Sequence, residues 1–356
     1  MIDIVKNAIV SNKVKNKIKI VLLSDIHFSK YFIIDNLELI RNSVKKLEPD
    51  YICIAGDIID EISVIYDTKL INILTNFLTD LAKISKVFIS LGNHDIRDNQ
   101  DLLYFKDLKI DNLCVLNNSY YIDKKVVING YNMPRDYYYN SPQGEDAKAM
   151  YQDLLKNKDK LYFSDKLFNI SLIHSPINLL DKDVSNYLKK CDLILCGHMH
   201  NGLVFKWLDK LIKNNYGLVS PSKGFFPNMA RGYKKVGDSN IIISGGITKL
   251  SNSSGKILRV LNRIYPISIN YIEVVENSNE EDNKHKRWKW QRYRIWNIIR
   301  FYLKKNNKRY LVYTDNTTNS DGSLNVYASI YINDTLEDIL TDEEWNEIEK
   351  RLNKIQ

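Results

Sequence analysis

The sequence predicts an α/β protein, and three observations support that class. Short β-branched runs recur from Ile18 to about Val275, segments of helical periodicity separate them, and most runs end in Gly, Asp or His. The runs are IKIVLLSD, YICIAGD, KVFISLGNHD, VVING, NISLIHSP, DLILCGHMH and NIIISGG. Several remain apolar for four or five residues, as strands buried on both faces do. Asp35 to Leu47 reads as a helix, and Pro49 behind it cannot continue one. Helices layered on sheet follow from this alternation.

At 356 residues with 44% hydrophobic and 11% aromatic content, the chain is long enough for one large domain with additions. Lys and Asn interrupt the opening residues before an apolar run forms, so no signal peptide is expected. No window approaches the ~18 apolar residues of a membrane span, and a cytoplasmic protein is the expectation. Cys53, Cys114, Cys191 and Cys196 show no CxxC spacing and read as small buried apolar residues. The net charge of +8 is local: residues 284–309 hold eleven Lys and Arg and no acid. Without them, 40 basic residues face 43 acidic ones.

The expected organisation is a large domain at 1–275, a linker and basic segment at 276–309, and a small α+β module at 310–356. Glu276 to Asn283 has no apolar residue and reads as the linker. The basic segment is expected to be helical, with Ile295, Trp296, Ile299, Tyr302 and Leu303 on one face. Three uses compete for it: a helix packed on its neighbour, a helix on an anionic lipid surface, or a nucleic-acid contact. The lipid alternative would place the protein at the membrane periphery. In the last module, strands are expected at Tyr310 to Tyr313 and Asn325 to Tyr331. A capping box at Thr341 to Glu344 precedes an expected helix carrying Trp345, Ile348, Leu352 and Ile355.

The chemistry lies at the ends of the expected strands. Five of the six histidines occupy such ends, in Asp25-Ile26-His27, Gly92-Asn93-His94-Asp95, His174-Ser175-Pro176 and Gly197-His198-Met199-His200. Gly56-Asp57-Ile58-Ile59-Asp60 falls between the first two. In open α/β sheets, ligand sites assemble at the carboxyl ends of strands. Imidazole suits first-row transition metals, and carboxylate and amide oxygens suit harder ions such as Mn²⁺. Asp57, behind a glycine, has room to touch two ions; Asn93 adds a neutral oxygen. Taken singly, each motif has a plainer explanation, such as a turn or a helix cap. Their joint occurrence does not.

These motifs, in this order, resemble the calcineurin-like metallophosphoesterase superfamily, over about residues 18–275. The resemblance implies a two-sheet sandwich flanked by helices. It also implies two divalent metal ions, Mn, Fe or Zn with Mn favoured. The first would be held by Asp25, His27, Asp57 and His200, the second by Asp57, Asn93, His174 and His198. His94, oriented by Asp60, would assist the leaving group, and hydroxide activated by the ions would attack phosphorus.

Glu61 stands where Ser/Thr protein phosphatases carry Arg, which argues against that branch. The run from Gly217 through Phe225-Phe226-Pro227 to Arg231 resembles a bacterial phosphodiesterase-like branch, although Asn201-Gly202-Leu203 departs from its usual Gly-Gly-Gln. A phosphodiester is therefore the expected substrate, with a phosphomonoester or a non-catalytic binding role as alternatives. Arg231 is the candidate substrate contact, since guanidinium pairs with phosphate oxygens, though bonding to loop carbonyls is equally open to it. Phe225, Phe226 and Met229 are expected in the local core, with the lining of an apolar pocket as the alternative. The C-terminal module resembles a small bacterial domain without an assigned activity.

Overall fold

The computed structural model describes residues 2–97, 104–139, 146–204, 212, 215–220, 224–248 and 265–276. It also describes strand backbone at 289–295, 298–305, 308–318, 324–332 and 335–337, and residues 341, 343 and 346. The chain divides into two compact units, Met1–Asn277 and Ser278–Gln356.

Among the described residues, two six-stranded sheets form the centre of the first unit. One holds β1 (Ile2–Ser11), β2 (Ile18–Leu23), β3 (Tyr51–Ala55), β4 (Lys86–Ser90), β5 (Leu113–Val115) and β14 (Ile267–Glu276), in the order β1-β14-β2-β3-β4-β5. The other holds β6 (Ser119–Ile122), β7 (Val126–Tyr131), β8 (Phe168–Ile173), β9 (Leu193–Cys196), β12 (Gly232–Val236) and β13 (Ser239–Ile243), in the order β12-β13-β9-β8-β7-β6. A short antiparallel pair, β10 (Val219–Ser220) and β11 (Gly224–Phe225), lies apart from both sheets.

Burial on both faces explains the unbroken apolar runs. In β2, Ile20 and Leu22 face the core between the sheets, with Ile128, Leu172, Leu195 and Ile242 from the second sheet. Val21 and Leu23 point the other way, into a core shared with α1 (Asp35–Leu47) and α3 (Thr68–Ile84). Each such side chain contributes about 1.5–3 kcal/mol when fully buried. α1 presents Leu37, Ile40 and Val44 to that core and ends at Glu48, which takes a left-handed φ of 46° just before Pro49. α3 starts at Asp67, whose side chain accepts hydrogen bonds from Lys69 N and Leu70 N. A third core covers the outer face of the second sheet with α5 (Ala147–Lys156) and α6 (Lys182–Leu188). The short helices α2 (Ser63–Tyr66) and α4 (Arg135–Tyr139) lie in connections after β3 and β7. The architecture is the expected α/β sandwich of two mixed sheets flanked by helices.

β2, β3, β4 and β5 run parallel, and β7, β8, β9 and β13 run parallel in the second sheet. Each set therefore delivers its carboxyl ends to one edge. β1 was not read from the sequence. Ile9 is its one buried residue, and it pairs in parallel with β14 from Ile2↔Ile267 to Ser11↔Glu276.

The second unit corrects the expected basic helix. Its described strands form one five-stranded antiparallel sheet in the order β15-β16-β17-β18-β19. Its strands are β15 (Lys289–Ile295), β16 (Ile298–Lys305), β17 (Lys308–Thr318), β18 (Leu324–Ile332) and β19 (Thr335–Glu337). The physical reason can be read in β16. Ile299, Phe301 and Leu303 alternate with Arg300, Tyr302 and Lys304, and β-branched and aromatic residues favour a pleated strand once a partner exists. β17 supplies that partner, pairing Phe301 with Val312. The two strands expected near residues 310 and 325 are present, longer than expected. Of the helix expected after Thr341, only Glu343 and Asn346 are described, both helical. Its apolar face and the linker at 277–283 lie outside the described residues.

Candidate metal centre

Asp25 and His27 follow β2, Asp57 and Asp60 follow β3, and Asn93 and His94 follow β4. From the second sheet, His174 follows β8, while His198 and His200 follow β9. Backbone hydrogen bonds stitch these tips together. Asp25 N donates to Gly56 O at 3.0 Å, His27 N to Asp57 O at 3.0 Å, and Gly197 N to His174 O at 2.9 Å. Others cross between the sheets, among them His198 N donating to Asp25 Oδ1 at 2.9 Å and Thr248 N to Asp25 O at 2.9 Å.

The tips are strained and crowded. Asp25, His27, Asp57, His198 and His200 all have left-handed φ, between 47° and 70°. Such conformations cost about 1–3 kcal/mol each in non-glycine residues and collect at functional sites. Gly92 shows the crowding, because a Cβ there would overlap the Asp57 carboxylate and backbone nitrogen. At Gly56 it would meet His174 Nδ1 at 2.5 Å.

Seven side chains expected to hold metal converge. Asp25, His27 and His200 form one group whose ligand atoms lie within 4.8 Å of one another, and Asp57, His174 and His198 form another. A third group, His27, Asp57 and His94, joins them. Asp57 Oδ2 lies 3.5 Å from His27 Nε2 and 3.2 Å from His174 Nε2. Asn93 Oδ1 is 3.2 Å from the same His174 nitrogen.

The hydrogen bonds behind the imidazoles test whether a cation fits. His174 Nδ1 lies 2.7 Å from Ala55 O, and His200 Nδ1 lies 2.8 Å from Thr248 O. A carbonyl can only accept, so each Nδ1 carries the hydrogen and each Nε2 turns its lone pair to the cluster. His27 Nδ1 faces Asp60 Oδ1 at 3.0 Å, and its buried Nε2 has no hydrogen-bond partner. Lone pairs aimed at carboxylate and amide oxygens make sense around a cation. The donor set of imidazole, carboxylate and amide oxygen suits a first-row divalent metal.

Without a cation, protons take its place. Burial works against a charged His174, yet Asp57 and then Asp25 overcome it and raise the imidazole to about 9. His27 is raised too, its burial outweighed by Asp60, Asp57 and Asp25. Asp57 is held well below the usual carboxylate range: burial opposes this, but His174, His94 and His27 prevail. At His200 burial wins, and the imidazole falls to about 4.

Asp60 is closer to His27 than to His94. Its Oδ1 stands 3.0 Å from His27 Nδ1 and 3.3 Å from His94 Nδ1, which also lies 3.2 Å from Asp60 O. The structure gives Arg231 other partners than a substrate: Nε donates to Tyr216 O at 2.9 Å and Nη2 to Ile212 O at 3.3 Å. Phe225 and Phe226 are 80% and 69% exposed, not core as expected: Phe225 belongs to the two-stranded β10–β11 pair outside both large sheets, and Phe226 follows it at a left-handed φ of 53°. Met229 is buried and, with Pro176, Ile177, Met199 and Pro227, lines a cavity of about 320 Å³. Cys53, Cys191 and Cys196 are buried and Cys114 is partly so; none forms a disulfide.

Sequence reasoning missed three residues. Asp95 accepts from Ile58 N, Ile59 N and Gly92 N at 2.9–3.0 Å, locking two loops together, and burial, then Asp57, pushes it up to about 7. It stood in view as the last letter of Gly-Asn-His-Asp. Thr248 backs His200 and carries no motif. Tyr138 packs its ring 5.7 Å from that of His198 and was hidden in an ordinary aromatic run.

The sequence profile of the calcineurin-like phosphoesterase family matches residues 18–202. An uncharacterized metallophosphoesterase of Campylobacter jejuni is 30% identical over 209 residues, covering 58% of this chain and 50% of that protein. One from Helicobacter pylori is 26% identical over 228 residues, covering 62% and 56%. The chain thus spans about half the length of these curated relatives. Among solved structures, GAP50, the anchor in the inner membrane complex of Plasmodium, aligns with a TM-score of 0.42 and 14% identity over 95% of both chains. Among the described residues, no helix is long and apolar enough to cross a membrane. With the matched span carrying every motif of the cluster up to His200, this chain belongs to the calcineurin-like phosphoesterase family.

Proposed function

We propose that the chain hydrolyses a phosphodiester at a centre of two divalent metal ions, with Mn²⁺ favoured over Fe and Zn²⁺. One observation carries the reading: the Asp57 carboxylate stands between His27 and His174, so it belongs to ligand groups on both sides. Asp25, His27, Asp57 and His200 would hold one ion, and Asp57, Asn93, His174 and His198 the other. Two such ions supply Lewis acidity that acidifies water and neutralises charge developing on phosphoryl oxygens.

The chain's own residues do the rest. Ala55 O, Thr248 O and Asp60 fix the ring orientations of His174, His200 and His27, so the ligand atoms need no rearrangement. Burial, with help from His27 and Arg97 and against the pull of Asp57, holds His94 down at about 4. It would therefore meet the leaving-group oxygen as a neutral imidazole that donates one N–H as a hydrogen bond and transfers no proton, rather than as the protonated acid the resemblance implies. With Asp25 and Asp57 as the only carboxylate ligands, two dications would keep a net charge of about +2, which would draw an anionic phosphoester.

A second reading, phosphomonoester hydrolysis, draws support from Arg97, whose guanidinium beside His94 offers one more positive charge for a dianion. The test is p-nitrophenol release from bis-p-nitrophenyl phosphate and from p-nitrophenyl phosphate at equal concentration, with Mn²⁺, Fe²⁺ or Zn²⁺ supplied. Faster diester turnover is the expected result. Faster monoester turnover overturns the diester reading, and turnover of neither ester with any of the three metals overturns both.

A further inference from the structure

The sequence nominates Arg231 as the phosphate contact, and the structure gives its guanidinium to Tyr216 O and Ile212 O. A different arginine reaches the cluster. Arg97 lies three residues after His94, and its Nη2 rests against His94 Nδ1. The His94 ring is itself 4.6 Å from the ring of His27, centroid to centroid, and shares a ligand group with His27 and Asp57. Arg97 therefore stands one side chain away from the atoms expected to hold metal.

Its placement is anchored while its head stays accessible. Arg97 N donates to His94 O at 3.4 Å, closing a turn over Asp95. Asp95 is buried and pinned by three backbone N–H groups from two loops, so the base of the turn cannot drift. The Arg97 residue itself is exposed. The contact holds the guanidinium against the imidazole that shares a ligand group with His27 and Asp57. An anionic oxygen is the ligand a guanidinium binds best, and its fork matches two phosphate oxygens at once.

We propose that Arg97 binds a non-bridging oxygen of the substrate's phosphoryl group and so makes the site sensitive to phosphate charge. This rests on reading the cluster as a phosphoesterase centre. Arg97 is then a specificity residue: it strengthens binding of a dianionic phosphate more than that of a diester monoanion. Loss of one charge-assisted contact corresponds to about tenfold to a hundredfold in affinity.

The experiment measures inorganic phosphate binding by titration calorimetry to the full chain loaded with Mn²⁺, for wild type, Arg97→Ala and Arg97→Lys. Steady-state kinetics on the two nitrophenyl esters run beside it. Arg97→Ala is expected to weaken phosphate roughly tenfold to a hundredfold. KM for the monoester should rise in step, and KM for the diester should rise less. Arg97→Lys, which keeps the charge but loses the fork, should recover part of the phosphate affinity. Unchanged phosphate affinity in Arg97→Ala overturns the proposal. So does a fall in kcat with KM and phosphate binding intact, which would make Arg97 a positioning residue for His94. If wild type binds no phosphate, the proposal fails as well. If wild type binds phosphate but turns over neither ester, the hydrolase reading fails, and the calorimetry still decides Arg97.

Discussion

Replacing Asp57 by Asn removes one negative charge and almost nothing else. The amide oxygen can still accept from His94 N, which donates to Asp57 Oδ1 at 2.8 Å. The amide nitrogen would face His27 Nε2 and His174 Nε2, where Oδ2 stands now. The fold should survive. The field should not. At 3.2 Å, opposite charges attract by roughly 5 kcal/mol at an effective dielectric constant of about 20. Burial of the imidazole takes back part of that. His174 at about 9 instead of its ordinary 6.5 leaves a net effect of about 3 kcal/mol. In metal-free Asp57→Asn, burial acts on His174 with that attraction gone, so the imidazole should drop from about 9 to 6.5 or below. Histidine side-chain NMR titration reads this directly. A cation at the same place feels the same carboxylate, so ~3 kcal/mol implies about a hundredfold loss of Mn²⁺ affinity as a lower bound, measured by calorimetry. If His174 kept its value, or Mn²⁺ bound within about threefold of wild type, the placement of Asp57 between the two groups would be wrong.

The remaining predictions are briefer. Metal binding should strengthen with pH, because a proton on His174 must leave first: about tenfold per pH unit up to about 9, with proton release measurable in buffers of different ionisation enthalpy. In the metal-free protein the sign reverses for stability. The raised His174 contributes fully below pH 6.5 and its share is lost as pH rises toward about 9, a fall that denaturant titration should show and Asp57→Asn should flatten. Gly92→Ala drives a methyl into Asp57 and should cost about 1–3 kcal/mol together with metal affinity. Gly237→Ala, in open space at φ +57°, should cost about 1–2 kcal/mol and leave metal affinity alone. Arg231→Ala should lower stability by about 1–2 kcal/mol through its two carbonyl contacts and leave KM unchanged. A large rise in KM would restore Arg231 as a substrate contact.

Some of this was legible early because burial on two faces writes itself into composition. β2 from Ile20 onward, β3 and β9 are continuous apolar runs, and α1 announces its end with Pro49. The half-buried strand β1 carries no such mark: its sequence alternates weakly, and its place depends on β14, more than 250 residues away. β16 misled for a related reason. Ile295, Ile299 and Leu303 fit a helical stripe and Ile299, Phe301 and Leu303 fit a strand face, and the partner β17 decides between them.

The same division runs through the site. By itself the sequence determined which residue types stand at the strand ends, since Asp-x-His, Gly-Asp-x-x-Asp, Gly-Asn-His-Asp and Gly-His-x-His follow the runs that form them. Tertiary structure alone decided who stands behind those groups: Ala55 O behind His174, Thr248 O behind His200, Asp60 behind His27, and Arg97 rather than Arg231 beside the cluster. A motif records side chains that must be present. A backbone carbonyl is offered by every residue, and a long cation can turn to whichever anion lies within reach, so only the packed sandwich selects them.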